Sequence, residues 1–395
     1  MERRPLVIVG AGPAGTATAL FLQGQDPRLA GEALILEKAR HPRQKVCAGG
    51  LIPHTLQCLA ELGVALSVPA VTVHRASVAV PGCSLRYEGH DLCCIVRRSE
   101  FDYSLVQACR QRGVEVREDE KVVALRREND GVRIETTRGE YHARVVVGAD
   151  GSGSVVRRRL VSDAGTCVGR AVMCDVPAKR TGWNGFAEAR YDFSFLPRRR
   201  GLRGYAWAFP CLIGGEPHVN LGVYSLQARG AGRLLRQLLE DELARAGAPQ
   251  APMKSFPIRW YGRRTRLTVP HVLLAGDAAG AEPLMGEGIS FAFEYGRRAA
   301  AAACCGLATG DVGFSDYERA VAGSWMGKKL RRLGLATHLF YGPTWPLWFA
   351  VAARSRQAQE IGIRWYNGVD GWDRCSAWHA ARAWFRGNPQ PARTH

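Results

Sequence analysis

The chain has 395 residues and a formal net charge of +18, and 46% of its residues are hydrophobic. This length allows two domains, and this hydrophobic fraction allows a large buried core. Such a charge attracts nucleic acid, anionic lipid or a phosphorylated substrate, or it forms a solvated basic surface. Because no nucleic-acid-binding module accompanies the charge, we expect no nucleic acid partner. We favour the solvated surface, with anionic lipid as the alternative.

The cysteine pattern argues against a disulfide framework. Twelve cysteines are present, and they include the adjacent pairs at 93–94 and 304–305, which bridge poorly. The chain carries no CxxC motif and no histidine pair at zinc spacing, so we expect no metal site. Residues 1–5 are too few for a signal peptide before the first strand. These features favour a reduced, cytoplasmic setting.

The first predicted element is a short β-branched strand at residues 6–9, followed by GAGPAG at 10–15 and a helix over 14–22. Gly10 permits a tight turn, Gly12 lets the backbone approach a diphosphate, and Gly15 lets the helix pack close to the sheet. The positive end of the helix then faces the phosphates. This arrangement is typical of a dinucleotide-binding unit.

A second apolar strand at 33–36 ends at Glu37. The carboxylate that hydrogen-bonds the ribose of a bound dinucleotide lies about 20 residues beyond the glycine motif, which is where Glu37 stands. The alternative is that Glu37 only begins a polar loop. The strand before it and the glycine motif upstream favour the ribose role.

Two acidic-glycine turns complete the pattern. GADG at 148–151 follows a predicted strand at 143–147, and AGDAAG at 275–280 follows one at 271–274. With the first motif, they predict a single bound FAD. Asp277 can accept hydrogen bonds from the ribityl hydroxyls, and the helix that starts near Gly288 directs its positive end at the flavin. We expect Asp150 to order its own turn.

The predicted fold class is α/β, with a discontinuous FAD-binding domain at 1–70, 95–165 and 265–310. Its middle part contains a segment at 98–102, a helix at 103–112 and a hairpin turn at 129–131. A substrate domain of antiparallel strands is predicted at 70–94 and 165–264, where apolar and polar residues alternate. A C-terminal helical region is predicted at 311–395.

An aromatic segment at 339–349 lies beside Lys328, Lys329, Arg331 and Arg332. Aromatic and basic residues together suit a membrane interface. They equally suit a packed helical cap or an apolar substrate tunnel. No segment is long and apolar enough to span a bilayer. We therefore expect a cytoplasmic protein, with peripheral membrane contact as an open alternative.

Three segments resemble the geranylgeranyl reductase family: KVCAGG at 45–50, GYAWAFP at 204–210, and GDAAG at 276–280 with GEGI at 286–289. The resemblance covers about residues 5–305 and lies within the superfamily of para-hydroxybenzoate hydroxylase-type flavoproteins. The sequence departs from the family at Ala48, where the family usually has glycine. The resemblance implies a Rossmann-type FAD-binding domain of the hydroxylase kind beside a β-sheet substrate domain.

The resemblance also implies an activity: an FAD-dependent oxidoreductase that reduces carbon–carbon double bonds of a prenyl or other hydrophobic substrate. An FAD-dependent monooxygenase that hydroxylates or epoxidises a hydrophobic small molecule is the alternative. A lipid-binding protein without catalysis is a third class, and the intact FAD motifs argue against it. The electron donor is left open between NAD(P)H and another carrier, and the oligomeric state is unknown.

The resemblance suggests site residues as well. Cys47 is implied as proton donor or gate on a loop near the flavin, and His54 is a weaker acid candidate. On a strand, Tyr205, Trp207 and Phe209 share one face, which lines an apolar slot or packs as an ordinary core. The predicted cofactor-binding residues are Gly10, Gly12, Pro13, Ala14, Gly15, Glu37, Lys38, Lys45, Ala48, Arg98, Asp277, Gly286, Gly288 and Ile289. For Arg98, a surface salt bridge with Asp102 is equally permitted.

Overall fold

The structure is a computed structural model that describes residues 1–162, 168–227, 230–248, 250–262, 264–354 and 356–367. Two eight-stranded sheets form its framework. The strands are β1 (Glu2–Val9), β2 (Leu34–Leu36), β3 (Gly50–Leu51), β4 (Ala70–Val80), β5 (Cys83–Val96), β6 (Glu115–Arg117), β7 (Val122–Arg127), β8 (Val132–Thr136), β9 (Glu140–Gly148), β10 (Val168–Pro177), β11 (Arg190–Ser194), β12 (Gly204–Ile213), β13 (Glu216–Ser225), β14 (Lys254–Arg259), β15 (Thr268–Val269) and β16 (Val272–Leu274). The α-helices are α1 (Pro13–Gln25), α2 (Pro27–Glu32), α3 (Pro53–Glu61), α4 (Arg98–Gln111), α5 (Gly232–Arg245), α6 (Ile289–Thr309), α7 (Tyr317–Gly323), α8 (Trp325–Tyr341), α9 (Trp345–Arg354) and α10 (Arg356–Asn367).

The first sheet has a parallel centre. Its order is β15-β16-β9-β1-β2-β6, and the hairpin β7–β8 joins the edge of β9. Strands β16, β9, β1, β2 and β6 run parallel to one another. In β1, Leu6, Val7 and Ile8 have no exposed surface, as expected for a parallel sheet covered on both faces. The carboxyl ends of β1, β2, β9 and β16 therefore meet at one edge.

The second sheet has the order β14-β10-β13-β12-β11-β4-β5-β3, and its described pairs are antiparallel except β11 with β4. One face carries an aromatic cluster that includes Tyr191, Tyr205 and Tyr224. The opposite face packs against α5 through residues such as Leu235 and Leu239. Side chains alternate between these two faces because successive residues of a strand point to opposite sides.

The two sheets meet at short elements. Gly50 and Leu51 form β3, which pairs with Ile95 and Cys94 at the end of β5. The stretch assigned to the FAD-binding domain at 1–70 therefore also contributes a strand to the second sheet. Helix α4 begins at Arg98, five positions earlier than predicted. The segment 98–102 is consequently the first turn of this helix instead of a lead into it.

Helices α9 and α10 pack against the second sheet. On α9, Phe349 is buried and its ring centroid lies 5.3 Å from that of Phe195. On α10, Ile363 packs against the aromatic cluster of the second sheet. This packing fits the helical cap, which is one of the three alternatives for the aromatic segment at 339–349. None of the helices in the described residues is long and apolar enough to cross a membrane. The predicted region from 368 to 395 lies outside the described residues.

Candidate functional site

The turn after β1 passes very close to the turn after β9. Gly10 has a φ of +105°, and a Cβ atom there would lie 2.5 Å from the carbonyl oxygen of Ala149. A Cβ at Gly15 would lie 1.9 Å from the carbonyl oxygen of Gly10. Both positions therefore require glycine for steric reasons. These contacts are the physical basis of the spacing seen in the sequence.

Glu37 lies at the end of β2, beside the glycine turn. Its buried carboxylate accepts hydrogen bonds from the backbone N–H groups of Ala11 at 2.9 Å and Ala39 at 3.0 Å. Arg43 lies 4.0 Å from Glu37 and forms an ion pair with Asp102 at 3.2 Å. Arg43 is a cation at this edge that the sequence reasoning missed. The neighbouring Lys38 is exposed.

The N-terminus of α1 suits an anion. Gly12 stands at its N-cap, Pro13 is the first helical residue, and no side chain of the described residues caps the helix. A Cβ at Gly12 would meet the Nη2 atom of Arg43 at 3.4 Å. Uncapped N–H groups beside a guanidinium favour a bound phosphate or diphosphate. Ala14 is buried behind this terminus.

Cys47 is half-buried on the loop before β3. Its sulfur accepts a hydrogen bond from the N–H of Gly49 at 3.4 Å. The same loop brings Cys47 against Arg98 at the start of α4. Burial opposes the charge of Arg98, but Asp102 and Cys47 outweigh it, so the pKa of Arg98 is raised above its ordinary value.

Arg98 binds Asp102 through two hydrogen bonds, Nε to Oδ1 at 2.7 Å and Nη2 to Oδ2 at 3.0 Å. This is the ion pair that helical spacing allowed, but it is buried, with Arg98 only 8% exposed. The alternative of a surface salt bridge is thus wrong about the location of the pair. Sequence spacing gives the helical neighbour of a residue, whereas burial depends on the Cys47 loop that covers this turn.

A cleft opens at this point between the Cys47 loop, the start of α4 and the second sheet. Lys45, Cys47 and Ala48 line one side of it, and Lys254 lies on another. The ammonium of Lys45 lies 3.2 Å from the centroid of the Phe256 ring. Burial lowers the pKa of Lys45 to about 8, and the nearby carboxylate of Asp277 opposes this change. The cleft therefore combines a thiol with several cations.

Asp277 lies on the turn after β16, where the hydroxyl of Ser152 donates a hydrogen bond to its Oδ2 at 3.2 Å. A Cβ at Gly288 would lie 3.0 Å from Oδ1 of Asp277, so a larger residue there would push the carboxylate away. Glu287 precedes the N-cap residue of α6, and its carboxylate accepts a hydrogen bond from the N–H of Ser290 at 2.8 Å. Ile289 is the buried first residue of that helix.

The segment 282–288, which we call the Glu282 loop, connects this turn to α6. The buried carboxylate of Glu282 accepts hydrogen bonds from the N–H groups of Leu284 at 2.7 Å, Met285 at 2.8 Å and Glu287 at 2.9 Å. Within this loop, Gly286 has a φ of +73°, which glycine adopts without strain. The carboxylate therefore holds the loop from inside.

Three tyrosines hold the same loop from outside. Their hydroxyls donate to three consecutive carbonyl oxygens: Tyr224 to Pro283 at 3.1 Å, Tyr341 to Leu284 at 2.6 Å, and Tyr205 to Met285 at 2.6 Å. A fourth hydroxyl, that of Tyr366, donates to Glu282 at 3.2 Å.

These tyrosines come from β12, β13, α8 and α10. Sequence reasoning missed Glu282, Tyr224, Tyr341 and Tyr366, because no local pattern connects residues so far apart in the chain.

The aromatic face predicted from residues 205–209 is present. Tyr205, Trp207 and Phe209 belong to one buried cluster on β12. The ring of Phe209 would lie 3.7 Å from a Cβ at Gly50, so this face reaches the Cys47 loop. Its neighbour Tyr205 is close enough to Cys47 and Glu282 for both to raise its pKa, after burial as the main cause.

A hydrogen-bond chain fixes the indole of Trp207. Its Nε1 donates to Asn220 at 2.7 Å, Asn220 donates to Asp175 at 2.6 Å, and Arg97 donates to Asp175 at 2.8 Å. Arg97 is the N-cap of α4. The chain therefore links the aromatic face to the first turn of the helix that carries Arg98.

Comparison with known proteins identifies the family. The sequence profile of the FAD binding domain family matches residues 3–294, which is most of the chain. The chain belongs to this FAD-binding family. The FAD cofactor and the class of FAD-dependent oxidoreductases predicted from the three motifs are thereby confirmed.

Two curated relatives and one solved structure extend this result. A menaquinone reductase from Mycolicibacterium smegmatis is 27% identical over 392 residues, covering 92% of this chain and 91% of the relative. A digeranylgeranylglycerophospholipid reductase from Methanosarcina acetivorans is 25% identical, covering 81% and 80%. A geranylgeranyl bacteriochlorophyll reductase-like structure from Thermoplasma acidophilum aligns with a TM-score of 0.74 at 19% identity, covering 99% and 98%. The predicted resemblance and the fold class are confirmed.

His54 lies apart from the FAD motifs and the Cys47 cleft. It stands on α3 and lines a separate cleft with Glu294 and Trp325. Burial works to lower its pKa, but hydrogen bonds with Cys58 and Glu294 outweigh this and raise the pKa of His54 to about 9. The structure therefore brings Cys47, Lys45, Arg98 and Tyr205 together but does not bring His54 to them.

Proposed function

We propose that this protein uses FAD to reduce carbon–carbon double bonds of a prenyl or similar hydrophobic chain. The observation that carries this proposal is the meeting of the Cys47 loop with the aromatic face of β12 and the Glu282 loop. One site is therefore bordered by a proton-donating thiol, by an apolar wall and by the loop that follows Asp277. The names of the two curated relatives, both reductases, support the same reaction class.

The residues at the edge of the first sheet fit FAD. The uncapped N-terminus of α1 suits its diphosphate, with Gly10, Gly12, Pro13, Ala14 and Gly15 giving close approach. Glu37 would exchange its hydrogen bond with Ala11 for one with a ribose hydroxyl. Asp277 suits the ribityl chain. When bound and reduced, FAD supplies hydride to one carbon of the double bond.

The opposite carbon then needs a proton, and we assign its delivery to Cys47. Transfer of the proton leaves a thiolate beside the guanidinium of Arg98, which stabilises negative charge. The half-buried Lys45 adds a second cation to the same cleft. His54 stands in another cleft, so the geometry favours Cys47 over His54 for this step.

The aromatic face would exclude water from the reacting chain. Tyr205, Trp207 and Phe209 are each less than 10% exposed, and their polar atoms already bind protein groups. An apolar, dry wall favours a hydrocarbon substrate and protects a hydride donor from solvent. The electron donor is proposed as NAD(P)H or another carrier.

Contact with a membrane is proposed for the C-terminal helices. Leu335 on α8 and Leu347 on α9 are 64% and 61% exposed, and Lys328 and Arg331 are exposed on α8. Exposed leucines beside basic residues suit the surface of an anionic bilayer. A lipid-soluble substrate would then reach the protein from the bilayer.

The test of the reaction class is the mass of the product formed from a polyprenyl substrate by chemically reduced holoenzyme, with and without oxygen. We expect a gain of hydrogen only, in both conditions. A gain of one oxygen atom, formed only in air, would instead establish the monooxygenase alternative and exclude double-bond reduction.

Cys47→Ala tests the proton donor. We expect this variant to keep its FAD and to lose turnover by about 100-fold, the usual scale of general acid catalysis. Cys83→Ala is the matched control, since Cys83 is also half-buried but begins β5, at the opposite end of the strand from Val96, which lines the Cys47 cleft. Equal turnover in the two variants would remove Cys47 from the reaction.

A further inference from the structure

A histidine, a cysteine and a glutamate meet between α3 and α6. His54 and Cys58 are four positions apart on α3, so both side chains lie on one face of the helix. Glu294 faces them from α6. The Nε2 atom of His54 lies 3.1 Å from Oε1 of Glu294 and 3.6 Å from Sγ of Cys58, and Sγ lies 4.0 Å from the same Oε1.

These distances match the edges of a tetrahedral zinc site. Zinc binds imidazole nitrogen and carboxylate oxygen at about 2.0–2.2 Å and thiolate sulfur at about 2.3 Å. At tetrahedral angles, those bond lengths place ligand nitrogen and oxygen about 3.3 Å apart, and sulfur about 3.6 Å from either of them. The largest difference, between Cys58 and Glu294, is about 0.4 Å and needs only a small side-chain rotation.

The triad is largely buried but borders an open cleft. Cys58 has no exposed surface, and Glu294 is 6% exposed. His54 and Glu294 also line an open cleft together with Gln57, Trp325 and Lys328. A fourth ligand such as water can therefore reach an ion held by the three side chains. Three protein ligands and one solvent ligand are a common zinc arrangement.

We propose that His54, Cys58 and Glu294 bind one Zn²⁺ ion, with solvent as the fourth ligand. Zinc binds the thiolate and the neutral imidazole, so uptake of the ion releases the proton of the thiol. A mixed nitrogen, sulfur and oxygen set favours zinc over magnesium or calcium, which prefer oxygen alone.

Arg297 completes the surroundings of the site. Its Nη2 lies 3.7 Å from Sγ of Cys58, and its Nε lies 3.3 Å from Oε1 of Glu294. Donors in this position orient ligands and stabilise a metal-bound thiolate. The expectation of no metal site did not consider the spacing of His54 and Cys58, and Glu294, which is 236 positions from Cys58, gives no local signal.

The proposed ion would link two helices. Helix α3 follows the Cys47 loop through β3, and α6 begins directly after the Glu282 loop. An ion between the two helices would fix the position of the Cys47 thiol relative to the loop after Asp277.

Another group of metal-binding residue types lies at the hairpin β7–β8 and its partner β9, and it consists of Glu128, Asp130 and His142. It lacks a thiol and is more exposed, so we do not propose a zinc site there.

The experiment measures zinc in the full-chain holoprotein. After treatment with a chelator, addition of Zn²⁺ and dialysis, we expect about one zinc per chain by elemental analysis. X-ray absorption at the zinc edge should show one sulfur at about 2.3 Å with nitrogen or oxygen at about 2.0–2.2 Å. Cys58→Ala and His54→Ala should each bind at least 100-fold more weakly.

Two controls separate this site from adventitious binding. Cys109→Ala removes a buried thiol from α4, and His142→Ala removes the histidine of the hairpin group; both should retain one zinc. Retention of zinc by Cys58→Ala, or coordination without sulfur in the unmodified protein, would contradict the proposal. Failure of the unmodified protein to retain zinc would also contradict it. The measurement on the unmodified protein decides the question even when a variant does not fold.

Discussion

Two regions of this protein hold their backbone in a fixed shape by opposite means. The glycine turn after β1 is shaped by the absence of side chains, since a Cβ at Gly10 or Gly15 would meet backbone atoms. The Glu282 loop is shaped by added side chains, with one carboxylate inside and tyrosines from four elements outside. The sequence pattern that marks the first region is local, whereas the contacts of the second region come from distant parts of the chain.

This difference determines how each region responds to substitution. A turn that depends on empty space fails at once when an atom is added, because backbone cannot move aside without breaking the sheet. A loop that depends on several hydrogen bonds loses them one at a time. We therefore expect an abrupt response at the glycine turn and a graded response at the Glu282 loop.

The largest effect is expected for Gly15→Ala. The added Cβ would lie 1.9 Å from the carbonyl oxygen of Gly10, so the variant should lose FAD and fold poorly. Gly24→Ala on the same helix is the matched control, because no atom lies within 4 Å of its added Cβ. That change should stabilise the protein by up to about 1 kcal/mol. Flavin content and thermal unfolding are measured for both variants. Equal flavin content and equal stability of the two variants would refute the steric account.

Glu282→Ala is expected to have the next largest effect. It leaves the N–H groups of Leu284, Met285 and Glu287 without their acceptor. At about 1–3 kcal/mol for each unsatisfied buried group, the free energy of unfolding should fall by several kcal/mol. Denaturant unfolding gives this value directly. A change below about 1 kcal/mol would mean that the carboxylate does not order the loop.

A third prediction concerns pH. Burial raises the pKa of Glu282 from 4.5 to about 7, against the opposing effect of its N–H donors. Between pH 4.5 and 7, Glu282 is deprotonated in the unfolded chain but still protonated in the folded protein. The contribution of Glu282 to the free energy of unfolding is therefore fully present below about pH 4.5 and is lost as the pH rises through 7. The shift corresponds to on the order of 3 kcal/mol. Denaturant unfolding at several pH values gives the free energy of unfolding of the protein and of Glu282→Gln. If Glu282 titrates normally, the difference in pH dependence between the two should vanish.

The smallest effects come from single tyrosine hydroxyls. Tyr341→Phe removes the hydrogen bond to Leu284, and Tyr317→Phe removes a comparable buried bond to Leu274 at the end of β16. Each should cost about 1 kcal/mol in stability. Of these two variants, only Tyr341→Phe should also change the absorption spectrum of bound FAD, because Tyr341 holds the Glu282 loop and Tyr317 does not. Equal spectra would place that loop away from the flavin.

Much of the first region could be predicted from sequence. A β-branched run, a glycine spacing and an acid at the right distance are all local, and the structure contains each of these elements at the expected place. The hairpin turn at 129–131 joins β7 and β8 for the same reason. The start of α4 was misplaced because its first turn, at Arg98, is polar in sequence and buried only by the loop that carries Cys47.

The second region could be predicted only in part. Alternation along β12 correctly predicted that Tyr205, Trp207 and Phe209 share one face. The hydrogen-bond partners of that face, such as Asn220 for Trp207, depend on strand register, which the sequence does not specify. Glu282 precedes a proline in a glycine-rich loop, and nothing in its local sequence marks it as buried. Its burial follows from packing of helices that are distant in sequence.

The tyrosine bonds to the Glu282 loop have a consequence for protein engineering. Tyr341 and Tyr366 come from the C-terminal helices, yet their hydroxyls end on the segment between Asp277 and α6. A chimera that exchanges the C-terminal helices alone would leave Leu284 and Glu282 facing the wrong partners. The loop and these helices therefore form one unit of exchange, and recombination with a relative should transfer them together.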